Sequence, residues 1–579
     1  MSCPDKTPIP SCNDEKPTRP NFSPSPPPSN DKKPTRPKLP PSLPSETPSQ
    51  VWTRGAGFWR SFIAICIPLL LSALEGSVTN TALPTISEAL DLGTKFSWVA
   101  TAFLLASTIF QPLYSQLGDM WGRKYPMMLA VAVFAGGSAI CGAAQSGAVL
   151  IFGRIVQGLG TGGIDLFAEM ILCDLIPLRK RGPYLAIKHV AFAIGTTLGP
   201  LLGGVFAEHG WRWCFIINIP VCVVAIAIIW FCLRVGGGVK ACDLSWKGEL
   251  AKVDYIGSLI LTASVVMLLV ALSTGGAPLP WSDAEIIVPL VFGVFGLVGF
   301  AVWERSPWCK YPIMSPQVFS NRTTNIAFAL TTIHGFVTYG FQFYLPPFFQ
   351  AVKGSSPTQT GVEVMPTTLV IVVLAAVGGP LLSFWGKYKP MHIIGFALMA
   401  LGLGLCVLLD SNTPVAGWMC FQLVTASGLG IVISAMLPAV QVKLPESTIG
   451  ASAGSWAFLR GTGSLFGVAI PGAIFNVRFS QVLPSISSAA ARSKLDHGQA
   501  YQRASAKFTK KFGNAVKREI ENAFTESLNA VWIVFAVLAA VGFILTWFEK
   551  EYKMREELNT AYGLKPPKTV DDVEGEDQV

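Results

Sequence analysis

Charge is scarce in this chain. Only 14% of its 579 residues are Asp, Glu, Lys or Arg, against roughly 25% in an ordinary soluble domain. Cysteine is present without a pattern. The 12 Cys are scattered, mostly through apolar stretches, with no CxxC pair or metal-ligand spacing, so they read as small buried hydrophobes. No Walker loop and no dinucleotide fingerprint occurs. Neither an enzyme, nor a cofactor, nor a metal site is expected. What the chain has in plenty is apolar sequence: 51% of it is hydrophobic, and the mean hydropathy is +0.47.

Runs of ~18–20 or more apolar residues, enough to cross a bilayer, recur along most of the length. They predict spans at about 61–83, 97–117, 126–145, 149–172, 186–207 and 214–233, then 255–273 and 285–303. A second block follows at about 324–348, 361–384, 391–409, 415–440, 450–476 and 528–548. That makes about fourteen helices, an all-α membrane protein whose two ends share one side of the membrane. The net charge of +9 then needs no nucleic-acid partner.

Short loops orient it. Arg123 and Lys124, Arg179 to Arg181, Lys240, Lys247, Lys252, Lys310, Arg322, Lys387 and Lys389 follow even-numbered spans. Lys95, Arg212 and Lys353 follow odd-numbered ones. By the positive-inside rule both termini are cytoplasmic. The segment 478–524 disagrees, being basic on the expected outer side, and Lys507–Ile520 within it reads as an amphipathic surface helix. Residues 1–55 form a Pro-rich tail, with KPTRP at Lys16–Pro20 and again at Lys33–Pro37. It cannot bury enough apolar surface to fold, and without an apolar h-region it is not expected to be a cleaved signal peptide.

Several stretches carry chemistry. In AIGTTLGPLLGG, Gly195, Gly199 and Gly203 recur at i, i+4 and i+8, a flat stripe where a second helix can approach closely, and Pro200 adds a bend. Such a helix suits a place where two halves rock against each other. In the fourth span Arg154, Gly158, Gly162, Asp165 and Glu169 fall within an arc of about 80°. Charges facing lipid are costly, so that stripe is expected to face the interior or a water-filled passage. Arg154 and Asp165, roughly 16 Å apart along the helix, are not expected to pair. In the first span Ser72, Glu75 and Thr79 share a face, with Asn80 nearby. Desolvation penalises a mid-membrane carboxylate's charged form, so Glu75 can bind and release protons near neutral pH. A structural hydrogen-bond hub and a counter-ion for a cationic substrate remain open for it. Arg460 shares an inward face with Ser464 and Gly467.

These stretches resemble the major facilitator superfamily, over roughly residues 58–550. GxxxGPxxGG at Gly195, Gly199, Pro200, Gly203 and Gly204 resembles its antiporter motif. SQLGDMWGRK, Ser115 to Lys124, resembles the signature loop between its second and third spans, with Ser115 where the family has Gly, and Gly378–Pro390 is a degraded second copy. The resemblance implies a conformational latch made by Asp119, Gly122, Arg123 and Asp174. LIFGRIVQGLGTGG resembles the fourth-span RxxQGxG motif, which implies a role in proton coupling for Arg154. LEGSVTNTALP resembles the first-span signature, with Glu75 where Asp is usual. WRWCFIINIP, Trp211 to Pro220, resembles a marker of the fourteen-span drug:proton antiporters, and WAFLRGTGSLFGVAI resembles the same branch.

The implied architecture is two six-helix bundles, 58–234 and 320–550, with two extra spans in 235–310 and a short charged tail at 551–579. The implied function is alternating-access export of a hydrophobic drug, toxin or secondary metabolite against protons. The residues expected to serve it are Glu75, Arg154, Asp165, Glu169 and Arg460. Tyr339, Gln342 and Tyr344, in the aromatic stretch from His334 to Gln350, are candidate cavity contacts. A monomer in a fungal plasma membrane is expected, with the vacuolar membrane left open. Proton-coupled siderophore uptake, vacuolar basic amino-acid transport and a non-transporting sensor are the other readings.

Overall fold

The structure is a computed structural model describing residues 55–90, 92, 96–233, 252–276, 279–496 and 498–556. The Pro-rich tail, most of the 551–579 tail and the side chains of Asn80 and Pro200 lie outside the described residues. The described chain is helical, with no named strand and one isolated bridge between Gly275 and Leu279.

The first group of helices is α1 (Ala56–Ala89), α2 (Phe96–Ile109), α3 (Gln111–Trp121), α4 (Lys124–Gly142), α5 (Gly147–Leu175), α6 (Arg181–His209) and α7 (Asn218–Cys232). Two more follow, α8 (Tyr255–Thr274) and α9 (Ala284–Glu304). The last group is α10 (Arg322–Pro347), α11 (Pro357–Trp385), α12 (Lys389–Cys406), α13 (Val415–Gln441), α14 (Ile449–Val482) and α15 (Asn514–Trp547). Within the first group α1 packs on α6, α4 on α5 and α7, and α2 on α5. Within the last, α10 packs on α14, α12 on α13 and α15, and α11 on α13. The α8–α9 hairpin leans on α14.

Among the described residues, twelve helices are long and apolar enough to cross a membrane, where the sequence suggests fourteen. Two account for the difference. The second expected span is broken at Phe110, where Pro112 opens α3 without an N–H to continue α2. The ninth, α10, has the length, but it carries Asn, Thr, His, Tyr and Gln side chains, many of them buried against its neighbours.

The basic segment 478–524 is not a loose loop. α14 runs on to Val482, short helical turns cover Ala489–Leu495 and Ala506–Thr509, and α15 starts at Asn514. Lys507–Ile520 is therefore no separate surface helix: the chain turns at Gly513, and its second half is the first part of α15. Ile486, Leu495, Ala500 and Phe508 are buried. Tyr501 stacks on Phe343 at 5.1 Å and donates to the Phe343 carbonyl at 3.0 Å. Two of its basic residues pair with acidic ones, Arg478 with Glu526 at 3.3 Å and Lys517 with Glu521 at 3.5 Å.

The glycine stripe of α6 packs against α1 in its own group, not against the other half. A Cβ on Gly195 would come within 2.9 Å of the Ala73 Cβ, and one on Gly199 within 3.0 Å of the Val78 nitrogen. Gly204 has open space instead. Backbone meets backbone between the two groups at Gly182 on α6 and Gly379 on α11, where a Cβ on Gly379 would lie 2.6 Å from the Gly182 carbonyl carbon.

Candidate functional site

The ionisable residues of the spans separate into two clusters, where a single shared stripe is the sequence expectation. The first is enclosed by α1, α2, α4, α5 and α7. Glu75 and Arg154 form an ion pair at 2.7 Å, both essentially without solvent exposure. Thr79 donates to Glu75 Oε1 at 2.7 Å, and Asn218 donates to Oε2 at 2.5 Å. Arg154 also donates to Gln157 Oε1 at 2.7 Å and to the Val99 carbonyl at 3.1 Å, and Gln157 donates to Ser138 at 2.9 Å. The guanidinium lies 4.1 Å from the Phe103 ring centroid. A buried charge survives only with such complete partnering.

Sequence reading missed Asn218, Gln157 and Ser138 as parts of this network. The signal for Asn218 was a lone amide inside the apolar run of WRWCFIINIP, which the sequence offers only as a branch marker. Gln157 stood within the RxxQGxG motif itself.

The second cluster lies where the groups meet, on α5, α6, α10 and α14. Asp165 accepts from Ser72 at 3.1 Å. Glu169 is buried and paired with Lys188 of α6, a residue the sequence reading passed over. The charges of Lys188 and Arg460 both reach Asp165, and that of Arg460 also reaches His189, His334 and Tyr339. His334 Nε2 donates to the Leu429 carbonyl, 3.1 Å away. Tyr344 is a packing residue rather than an open contact: its hydroxyl donates to the Val468 carbonyl at 2.8 Å, among the rings of Phe343, Tyr501 and Phe535. Gln342 and Tyr339 are only half-buried.

At one end the two groups are closed on each other. Gly122 turns the chain at φ +76, which favours glycine. Arg123 pairs with Asp119 at 2.7 Å and with Asp174 at 2.8 Å. The Asp119 carboxylate lies against Gly450, at the start of α14. Ser115 donates to the Gly450 carbonyl at 2.8 Å and so ties the groups together. Arg181 donates to Gln441 at 2.5 Å. Residues 549–556 run beneath this end: Glu549 pairs with His392 at 2.9 Å, Arg555 donates to the Leu444 carbonyl at 2.7 Å, and Glu556 pairs with Arg179.

One set of side chains has metal-ligand proximity among the described residues. Asp254, Glu304 and Cys309 hold their ligand atoms within 4.8 Å of one another. Protein donors already occupy them. Gly257 N–H and Trp303 Nε1 donate to Asp254, at 2.8 and 3.0 Å, and the Ile313 and Met314 N–H groups donate to Glu304, at 3.2 and 3.0 Å. Burial, aided by both carboxylates, pushes the Cys309 thiol up to about 12, so it donates to Asp254 at 3.5 Å as a thiol. The cluster clasps the ends of α8 and α9.

Residues 65–468 match the model of the Major Facilitator Superfamily. The chain belongs to this superfamily. It is 40% identical over 514 residues to the MFS efflux transporter aclA of Aspergillus oryzae, covering 89% of this chain and 93% of that one. It is 41% identical over 517 residues to the MFS-type transporter ucsD of an Acremonium species, covering 89% and 88%. Among solved structures, the proton:xylose symporter XylE superposes with a TM-score of 0.55 at 14% identity, covering 86% of this chain and 98% of that one, which shows the fold alone. The protein is thus a multi-pass membrane member of a transporter family, not an enzyme.

Proposed function

We propose that the chain is a proton-coupled exporter of small hydrophobic or amphipathic molecules, a drug, toxin or secondary metabolite:H+ antiporter working by alternating access. The observation that carries this reading is the enclosed Glu75–Arg154 pair, whose carboxylate is met by Arg154, Thr79 and Asn218. Protonating Glu75 would cancel the charge that Arg154 is paired with, and leaving one partner of a buried pair alone costs about 3–5 kcal/mol. A proton arriving at Glu75 can therefore drive rearrangement of α1, α5 and α7. Asp119, Arg123, Asp174, Arg181 and Ser115 would hold one end shut until that happens. The resemblance to aclA, an efflux transporter, supports the export direction.

In this reading the chain has fourteen spans, as bundles over 58–234 and 320–550 with two extra spans between. Both termini are cytoplasmic, and the protein works as a monomer in the plasma membrane, with the vacuolar membrane as the alternative. The test uses inside-out vesicles with an imposed pH difference. Glu75→Gln should abolish proton-driven accumulation while solute exchange without a gradient continues. Accumulation at the wild-type rate in that variant would overturn the coupling role.

A further inference from the structure

Where the two groups meet, two donors are left without acceptors. The acidic residues of that cluster are engaged, Asp165 by the Ser72 hydroxyl and Glu169 by the Lys188 ammonium. Arg460 is different. Among the described residues its guanidinium has no hydrogen-bond or ion-pair partner, and it rests 5.4 Å from the centroid of the Trp456 ring, one turn earlier on α14. Trp456 is itself 3% exposed, and its indole N–H, a donor only, is buried with no acceptor. Two neighbouring donors, one of them permanently charged, are thus left open at the meeting of α5, α6, α10 and α14.

Leaving such groups unmet is costly, and the fold had acceptors within reach of Arg460's field. Asp165 feels the Arg460 charge but forms no ion pair with it, its carboxylate instead taking the Ser72 hydroxyl from within the first group. A group that must bind and release a passenger is the place where unsatisfied donors are tolerated, because the passenger supplies the acceptor. The charge on the guanidinium selects an anion over a neutral carbonyl. The Trp456 ring and the half-buried Tyr339, which lies within reach of the same charge, suit an apolar body attached to it.

We propose that Arg460, assisted by the Trp456 N–H, is the anchor for the carboxylate of an amphipathic organic acid, so that the exporter prefers acids to their neutral analogues. This rests on the transporter reading but not on its proton coupling. Arg460 thereby acts on the cargo, whereas Glu75 and Arg154 act on the proton.

The test is binding of two probes that differ only in charge, 1-pyrenebutyrate and its primary amide, at neutral pH. The full-length protein is placed in lipid nanodiscs, binding is read as energy transfer from tryptophan to pyrene, and empty nanodiscs are subtracted. The wild-type protein should bind the acid at least ~10-fold more tightly than the amide. Arg460→Gln should weaken acid binding roughly 10- to 100-fold, the usual effect of losing a charge-assisted bond, and leave amide binding in place, which shows that the variant is folded. Arg460→Lys should recover part of the preference, and Trp456→Phe should reduce it while keeping the ring. Equal binding of acid and amide by the wild type would overturn the proposal, as would an acid preference that survives in Arg460→Gln. No pH gradient is used, so a failed export assay with intact acid preference would sink the antiport reading and leave the anchor standing. Export of the amide with no preference for the acid would do the reverse.

Discussion

The amide of Asn218 donates to Glu75 Oε2 at 2.5 Å, joining α7 to α1 across 143 residues of sequence. The contact adds Asn218 to the Glu75–Arg154 network, a place that sequence reading had not given it. It satisfies the carboxylate oxygen that Arg154 leaves free.

Asn218→Ala should therefore destabilise the protein by about 1.5–3 kcal/mol, the cost of losing a hydrogen bond to a charged group in the interior. Asn218→Asp should be worse, because it sets a second carboxylate against Glu75 with no further cation to meet it. Thermal unfolding of the purified protein, together with gradient-driven export, checks both. Wild-type melting in Asn218→Asp would mean that the amide is incidental.

Closure at the α3–α4 end depends on backbone touching backbone at Gly182 and Gly379, with the Pro183 nitrogen 3.0 Å from a Cβ placed on Gly379. Gly379→Val should hold that end apart and favour conformers open there. Ser452, fully buried at this end and hydrogen-bonded with Gln441 at 3.1 Å, offers the readout. A cysteine put in its place should react with a thiol reagent faster in Gly379→Val than in the parent. Equal rates would show that the glycine contact does not set the closed state.

The segment beneath that end contains two polar contacts of very different worth, an exposed ion pair and a buried hydrogen bond. Arg179 and Glu556 are substantially exposed, and Glu556→Ala should cost only ~0–1 kcal/mol, less still at high salt. His392 and Glu549 are both fully enclosed. His392→Ala would leave the buried Glu549 carboxyl group without this hydrogen bond and should cost about 1–3 kcal/mol. Melting of the two variants side by side distinguishes the cases, and comparable losses would be the wrong answer.

Much of the fold was legible in the sequence because a bilayer imposes length and polarity rules on each helix separately. The spans near 255–273 and 285–303 stand as α8 and α9, with bounds close to the expected ones. The second and ninth expected spans read less plainly in the structure for local reasons, Pro112 in one and the polar side chains of α10 in the other. The site was only half legible. Helical spacing put Arg154, Asp165 and Glu169 on one face of α5, and that holds. It could not show that Arg154 turns to Glu75 inside the first group while Glu169 turns to Lys188 at the junction. Nor could it show that the glycines of α6 serve α1. Tyr344 looked like a cavity contact because aromatic residues cluster there, yet its hydroxyl is spent on a backbone carbonyl.

By itself the sequence determined that this is a membrane protein, where its helices run and which ionisable residues are carried into the hydrocarbon. Those properties follow from composition and periodicity along a single helix. Only the tertiary structure decided which of these charges meet, that Asn218 completes one pair and that Arg460 is left without an acceptor among the described residues. A periodicity orients a side chain about its own axis, whereas a partner is chosen by how separate axes pack, and that packing joins residues as distant as Ser115 and Gly450.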